Sequence, residues 1–230
     1  TGYTGLRGVD ELDPERWSSE FDSLEVYNNQ SRFCQVFGDW LGLLNQGLRI
    51  TGVGNSDTHS LGSPAGYPRN YLPTMAPEPH QVAAEEVVAA LRDGRVTVGG
   101  GAYLDFPAGP QAGDEIIVDG GTTSVRVRLR TPSYAQLTRL MVFYNGTLVE
   151  TIELASVTED IIDFDAEVEV STPVDGHLIF LAVGDDSLEY IRPGRAVFAF
   201  SNPIWIDVNG GGVTPVGPGP VSIPQLSFCE

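Results

Sequence analysis

The stretch SVRVRLRT (124–131) alternates strictly, with Val125, Val127 and Leu129 at every second position and arginines between them. Successive side chains of an extended chain point to opposite faces, so this pattern describes a strand with one buried face. The chain after about residue 103 shares that texture. TRLMVFYNGTLVETIEL (138–154) holds two strand-like runs joined by Asn145-Gly146, a strong hairpin signal, and AEVEVS, HLIFLAVG, AVFAF and PIWIDV add four short strands without helical periodicity. Residues 103–208 are therefore expected to form an antiparallel β-sandwich of Greek-key type. The Gly/Pro-rich tail, 209–230, is expected to be extended rather than packed.

The first 102 residues read differently. FDSLEVYN (21–28) has the composition of a buried strand, and SRFCQVFGDWLGLLNQG (31–47) places Phe33, Phe37, Trp40, Leu41 and Leu44 at helical spacing. Ser31 can cap the start of that helix and Gly47 can end it. LRITGVG (48–54) is a second strand, and a Gly- and Pro-rich loop covers 60–80. QVAAEEVVAALRDG (81–94) is a second amphipathic helix and RVTVGG (95–100) a third strand. Strand, helix, strand, helix, strand is the pattern of parallel α/β units. A chain of 230 residues with 41% hydrophobic content can bury one large core or two modest ones, and the change of texture predicts two domains, 1–102 and 103–208.

Charge narrows the partners. A formal net charge of −18 repels polyanions, which argues against nucleic acid or an anionic membrane surface. No run approaches the roughly 18 apolar residues that span a bilayer. Thr1 does not begin a signal peptide and reads as a cut end. An extracytoplasmic place, periplasmic, cell-surface or secreted, fits best. All thirteen basic residues are arginine, which excludes Schiff-base and phosphate-loop lysine chemistry. Cys34 and Cys229 are too few and too far apart for a thiolate metal cluster; they form either one disulfide that pins the tail to the first domain or two free thiols.

The candidate chemistry lies just past the 48–54 strand, where GNSDTHS carries Asp57 and His59. In α/β architectures functional side chains collect where strands end and loops begin. A carboxylate and a neutral imidazole two residues apart in an extended stretch point the same way, and together they suit Zn²⁺, Mn²⁺ or Fe²⁺. The alternative is a capped turn in which His59 only hydrogen-bonds locally. Glu25, among apolar neighbours in SLEVY, needs a cation or strong donors, so it is either a third metal-site residue or the partner of an arginine such as Arg49. DVNGGG (207–212) has the opening of a calcium loop in Asp207 and Asn209, but Gly211 takes an acidic position, so an ordinary glycine turn is expected.

In order along the chain, FDSLEVYNN, DWLGLLNQGLRITGVGNSDTHS, GYPRNYL, EEVVAALRDGRVTV, AGDEI and FSNPIWIDVNG resemble the C-terminal part of PHP-type metallohydrolases of the CehA/McbA-like branch, over roughly residues 21–210. The resemblance implies a fold that is α/β plus all-β, with the C-terminal units of a distorted β/α barrel in 1–102 followed by the sandwich. It also implies a di- or trinuclear site of divalent transition metal (Zn, Mn or Fe) to which Asp57 and His59 contribute as ligands and catalytic residues. Glu25 lies near that site. Asn28, Asn55 and Arg69 are the residues that would face substrate, a small-molecule phosphoester or a carboxylic or carbamate ester. The early His-x-His of such proteins has no counterpart in this sequence, and His80 and His177 are badly placed to replace it. Two ligands do not hold a catalytic metal tightly, so the missing N-terminal half of the barrel, or a chain supplying it, is the expected partner, and this chain alone is expected to be inactive. The rival expectation is a secreted, non-catalytic binding or structural module that uses the acidic β-sandwich, with the barrel remnant as scaffold.

Overall fold

The structure, a computed structural model, describes residues 18, 20–28, 32–61, 65–155, 161–184, 188–189, 191–219 and 221–229. Ser31, the expected helix cap, lies outside them. At the centre runs β11 (Gly176–Val183), buried along its whole length. On one side it pairs antiparallel with β8 (Arg139–Tyr144), which pairs in turn with β9 (Thr147–Glu153). On its other side β12 (Phe198–Ser201) and β13 (Ile204–Val208) lie end to end, both antiparallel to it. Beyond β12 come β4 (Thr97–Gly100) and β3 (Arg69–Tyr71), both antiparallel; beyond β13 comes β6 (Glu115–Val118), parallel. These strands make one eight-stranded sheet.

Residues paired across a ladder share a face, so the register sorts this sheet into two apolar sides. Met141, Phe143, Ile179, Leu181, Phe198 and Phe200 look one way. They meet α1 (Phe33–Asn45), whose Phe37 lies 5.5 Å from Phe143 and whose Trp40 lies 5.9 Å from Phe200, ring centroid to centroid. Val142, Leu178, Phe180 and Ala182 look the other way. That side faces a three-stranded antiparallel sheet of β5 (Tyr103–Asp105), β7 (Thr122–Arg130) and β10 (Ile162–Ser171), and Phe106 beside β5 reaches Phe180 at 5.7 Å. The alternation in 124–131 is realised in β7: Val125, Val127 and Leu129 are fully buried while the arginines between them pair with carboxylates at the surface.

The barrel expectation fails. The sheets are mostly antiparallel, and among the described residues only β1 (Ser23–Tyr27), α1 and β2 (Thr51–Gly54) form a parallel strand–helix–strand unit. The third strand of the expected series, β4, pairs antiparallel in the large sheet, and among the described residues no sheet closes on itself. The helix between β3 and β4, α2 (Ala84–Arg92), departs from the expected crossover in the same way. A crossover helix must cover a sheet with an apolar stripe, whereas α2 has only Ala90 fully buried. Periodicity shows which segments extend and which coil; it does not show which edge a strand finds. One hydrophobic cluster includes Val26, Val98, Val127, Leu181 and Phe228, so 1–102 and 103–208 contribute to the same interior.

Two asparagines join the β1–β2 pair to the large sheet. At the break between β12 and β13, Asn202 accepts from Gly52 N–H (2.7 Å) and donates to the carbonyls of Gly52 (2.8 Å) and Val96 (2.9 Å). On β3, Asn70 accepts from Gly54 N–H (2.9 Å) and donates back to Gly54 C=O (3.0 Å). Side-chain amides thus supply the ladder bonds that a neighbouring strand would otherwise give. The glycines are required there: a Cβ on Gly52 would sit 2.7 Å from the Trp40 ring, and one on Gly54 would sit 2.4 Å from Val98.

The tail is extended and also packed. Thr214 N–H donates to Asp175 (3.0 Å), Gly217 N–H to Asn45 C=O (2.9 Å) and Ser222 N–H to Gly146 C=O (3.1 Å). Leu226 and Phe228 are buried, and Cys229 is disulfide-bonded to Cys34 in the first turns of α1. Asp207 accepts from the N–H groups of Gly210, Gly211 and Gly212 at 2.9–3.1 Å, which makes the DVNGGG segment a glycine turn with its carboxylate fully engaged.

Candidate functional site

The parallel pair β1–β2 aims its C-terminal ends at one region. Asn55 N–H donates to Tyr27 C=O at 2.9 Å, so β2 leaves the ladder beside the end of β1. Glu25 Oε2 accepts from Asn28 Nδ2 (2.8 Å) and Oε1 from Asn55 Nδ2 (2.9 Å), while Asn55 Oδ1 accepts from Asn70 Nδ2 (3.2 Å). Four side chains, two within β1 and β3 and two just past β1 and β2, form one chain of hydrogen bonds, Asn28–Glu25–Asn55–Asn70. Amide donors hold the Glu25 carboxylate, rather than the arginine considered above: Arg49 pairs with Glu115 (2.5 Å) and lies over the Trp205 ring at 4.6 Å.

Two residues beyond Asn55, Asp57 adopts a left-handed backbone (φ 46°), which turns the chain sharply. His59 Nε2 then comes to 3.6 Å from Asp57 Oδ2, with both side chains largely in solvent, 80% and 57% exposed respectively. Of the expected site residues, the fold brings Glu25, Asn28 and Asn55 together and brings Asp57 to His59. Among the described residues no hydrogen bond or ion pair joins the two groups, and no set of three His, Cys, Asp or Glu could share an ion. Arg69 stands apart. It alternates with Asn70 along β3, so it projects from the opposite face, and its Nε donates to Gly66 C=O (2.8 Å). Asn70 escaped sequence reasoning; a lone asparagine in GYPRNYL carries no spacing signal.

The region rests on a buried aromatic floor. Tyr27 stacks on Phe198 (4.2 Å between centroids) and meets Tyr67 edge-on. Tyr67 donates its single hydroxyl proton to Ala196 C=O (2.6 Å), so in the 3.1 Å contact between the two hydroxyls Tyr27 is the donor. Burial raises both phenols, Tyr67 to about 12, and keeps them neutral; they support the site rather than exchange protons. The other two histidines lie elsewhere. His80 is in an exposed turn before α2, and His177 is buried in β11. Against known proteins, the chain matches no family model, no curated protein and no solved structure.

Proposed function

We propose that this chain supplies half of a divalent-metal site for hydrolysis of a small-molecule ester, with Asp57 and His59 as ligands and the Glu25–Asn55 relay as the bracing beside them. The observation that carries the reading is the convergence of the carboxylate and the imidazole at 3.6 Å on the solvent side of a strand end. Two donors each about 2.1 Å from one ion at a tetrahedral angle lie roughly 3.4 Å apart, so the pair fits two corners of a coordination shell. The number of donors does not fit a whole shell, because sites of this kind take three or four protein ligands. The remaining ligands therefore come from another segment or chain. β1 supports this, since among the described residues it pairs only with β2 and its other edge carries no ladder. A divalent ion held there would lower the pKa of bound water and polarise the ester oxygen. Asn28 and Asn55, fixed by Glu25, would orient the substrate. The resemblance of the motif order to PHP-type metallohydrolases supports the same chemistry, and the Cys34–Cys229 disulfide supports an oxidising, extracytoplasmic compartment.

A non-catalytic binding module is the second reading, favoured by the absence of a third ligand beside the pair among the described residues. Metal analysis of the natural full-length protein separates the two. Bound transition metal is expected in the native protein and lost in the Asp57→Ala, His59→Ala double variant, with aryl phosphate or aryl ester hydrolysis lost in parallel. Equal metal content in both samples would overturn the hydrolase reading.

A further inference from the structure

The face of β3 turned away from Asn70 borders a separate trough of about 420 Å³. Its floor is aromatic: Tyr71 of β3 and Tyr103 of β5 lie 4.6 Å apart, centroid to centroid, with their planes tilted by 58°. Arg130 of β7 covers Tyr103 at 4.8 Å, and the far bank is Tyr134 with Ile161, 48% and 58% exposed. Acidic residues outnumber basic ones 31 to 13 in this chain, yet the described lining of the trough holds two arginines, three tyrosines and no carboxylate. Arg69 has no ion pair among the described residues, and its one hydrogen bond uses Nε, which leaves both Nη groups uncommitted. Arg130 is also under-used. Its Nη2 is 3.4 Å from Asp105, a carboxylate already engaged by Arg128 at 2.5 Å, and its Nε has no acceptor.

We infer that this trough binds a ring that carries a single carboxylate, an aryl acid or a sugar acid, with the ring against the tyrosines and the carboxylate on the Arg69 fork. Tyrosine faces accept either kind of ring, and a guanidinium with free Nη groups matches a carboxylate bidentately. The volume suits a ligand of one or two rings. The negative field of the whole chain disfavours polyanions, which selects a monoanion over a nucleotide. The trough lies on the opposite face of β3 from the Asn28–Asn70 relay, so it does not depend on the metal reading.

Calorimetric titration of the protein with 2-naphthoate and D-glucuronate, each beside its neutral counterpart (2-naphthalenemethanol and D-glucose), tests the inference and tells the two ligand sources apart. Saturable binding is expected for at least one acid, about 10-fold tighter than for its neutral counterpart. Arg69→Met should weaken that acid about 10-fold and Tyr134→Ala several-fold, and both side chains are exposed enough for the fold to be retained, which the melting curve checks. No saturable heat with either acid up to about 10 mM, equal affinity for acid and neutral ligand, or unchanged affinity in Arg69→Met would overturn it.

Discussion

The two α-helices among the described residues make an instructive pair. Both have helical apolar spacing in the sequence, yet α1 buries ten of its thirteen residues while α2 fully buries only Ala90. The difference is in what closes over them. α1 lies between the aromatic face of the large sheet and the C-terminal tail, fastened at its start by Cys34–Cys229 and at its end by the Gly217 to Asn45 bond. α2 touches the body along one side, through the partly buried Leu91 and the Thr51 hydroxyl donated to Leu91 C=O. An amphipathic stripe tells which side of a helix turns inward; how much of the remainder is covered depends on elements far away in sequence.

That contrast can be tested by substitution. Trp40 is fully buried and its Nε1 donates to Ile50 C=O at 2.8 Å, so Trp40→Ala should cost about 4 kcal/mol in denaturant unfolding. A loss below about 1 kcal/mol would mean that α1 is not a core helix. Replacing Cys34 and Cys229 together by Ser opens a loop with a sequence separation of 195 residues. The expected loss is about 3 kcal/mol, seen as a lower urea midpoint that reducing agent reproduces in the native protein; an unchanged midpoint would show that the tail is held by packing alone.

A smaller effect depends on pH. His177 lies under the C-terminal end of α1, in a small cavity lined also by Leu44, Gly47 and Trp205, and burial pushes its pKa down to about 3. The folded chain holds it neutral, whereas the unfolded chain takes up a proton near its ordinary value of 6.5. Its contribution is therefore complete above about pH 6.5 and declines toward pH 3 by about 1.4 kcal/mol per unit, or about 2 kcal/mol by pH 5. Urea midpoints between about pH 7.5 and about pH 5 should fall more steeply in the native protein than in His177→Gln, and parallel slopes would contradict the burial. Asp175 adds a separate loss at lower pH, because the N–H groups of Val208 and Thr214 hold its carboxyl below the usual range. The smallest effect is expected in α2, where Val88→Ala at an exposed position should change stability by less than about 0.5 kcal/mol.

Much of the local structure was legible, and its assembly was not. The alternation around Val127 found β7, and Asn145-Gly146 found the β8–β9 hairpin, whose two turn residues have φ of 50° and 72°, as a tight reverse turn requires. Glu25, Asn28 and Asn55 could be singled out one by one, Glu25 for a metal site and the asparagines for substrate, but the hydrogen bonds that join the three were not legible. Nor were the partner of β4, the packing of the tail and the roles of Asn70 and Asn202. Bonds from a side-chain amide to a distant backbone leave no period in the sequence, and a Gly/Pro-rich segment reads the same whether it is solvated or pressed against a helix.

The two asparagines act as rivets where a sheet would ordinarily have a seam. A seam can slip by two residues and re-form, whereas a rivet fits one hole, so the register of β2 is set by Gly52 and Gly54 individually. Drawing either rivet frees a strand end that carries the Asp57–His59 loop, so the alignment of that loop depends on side chains that bond to Gly52, Gly54 and Asn55 rather than to Asp57 or His59.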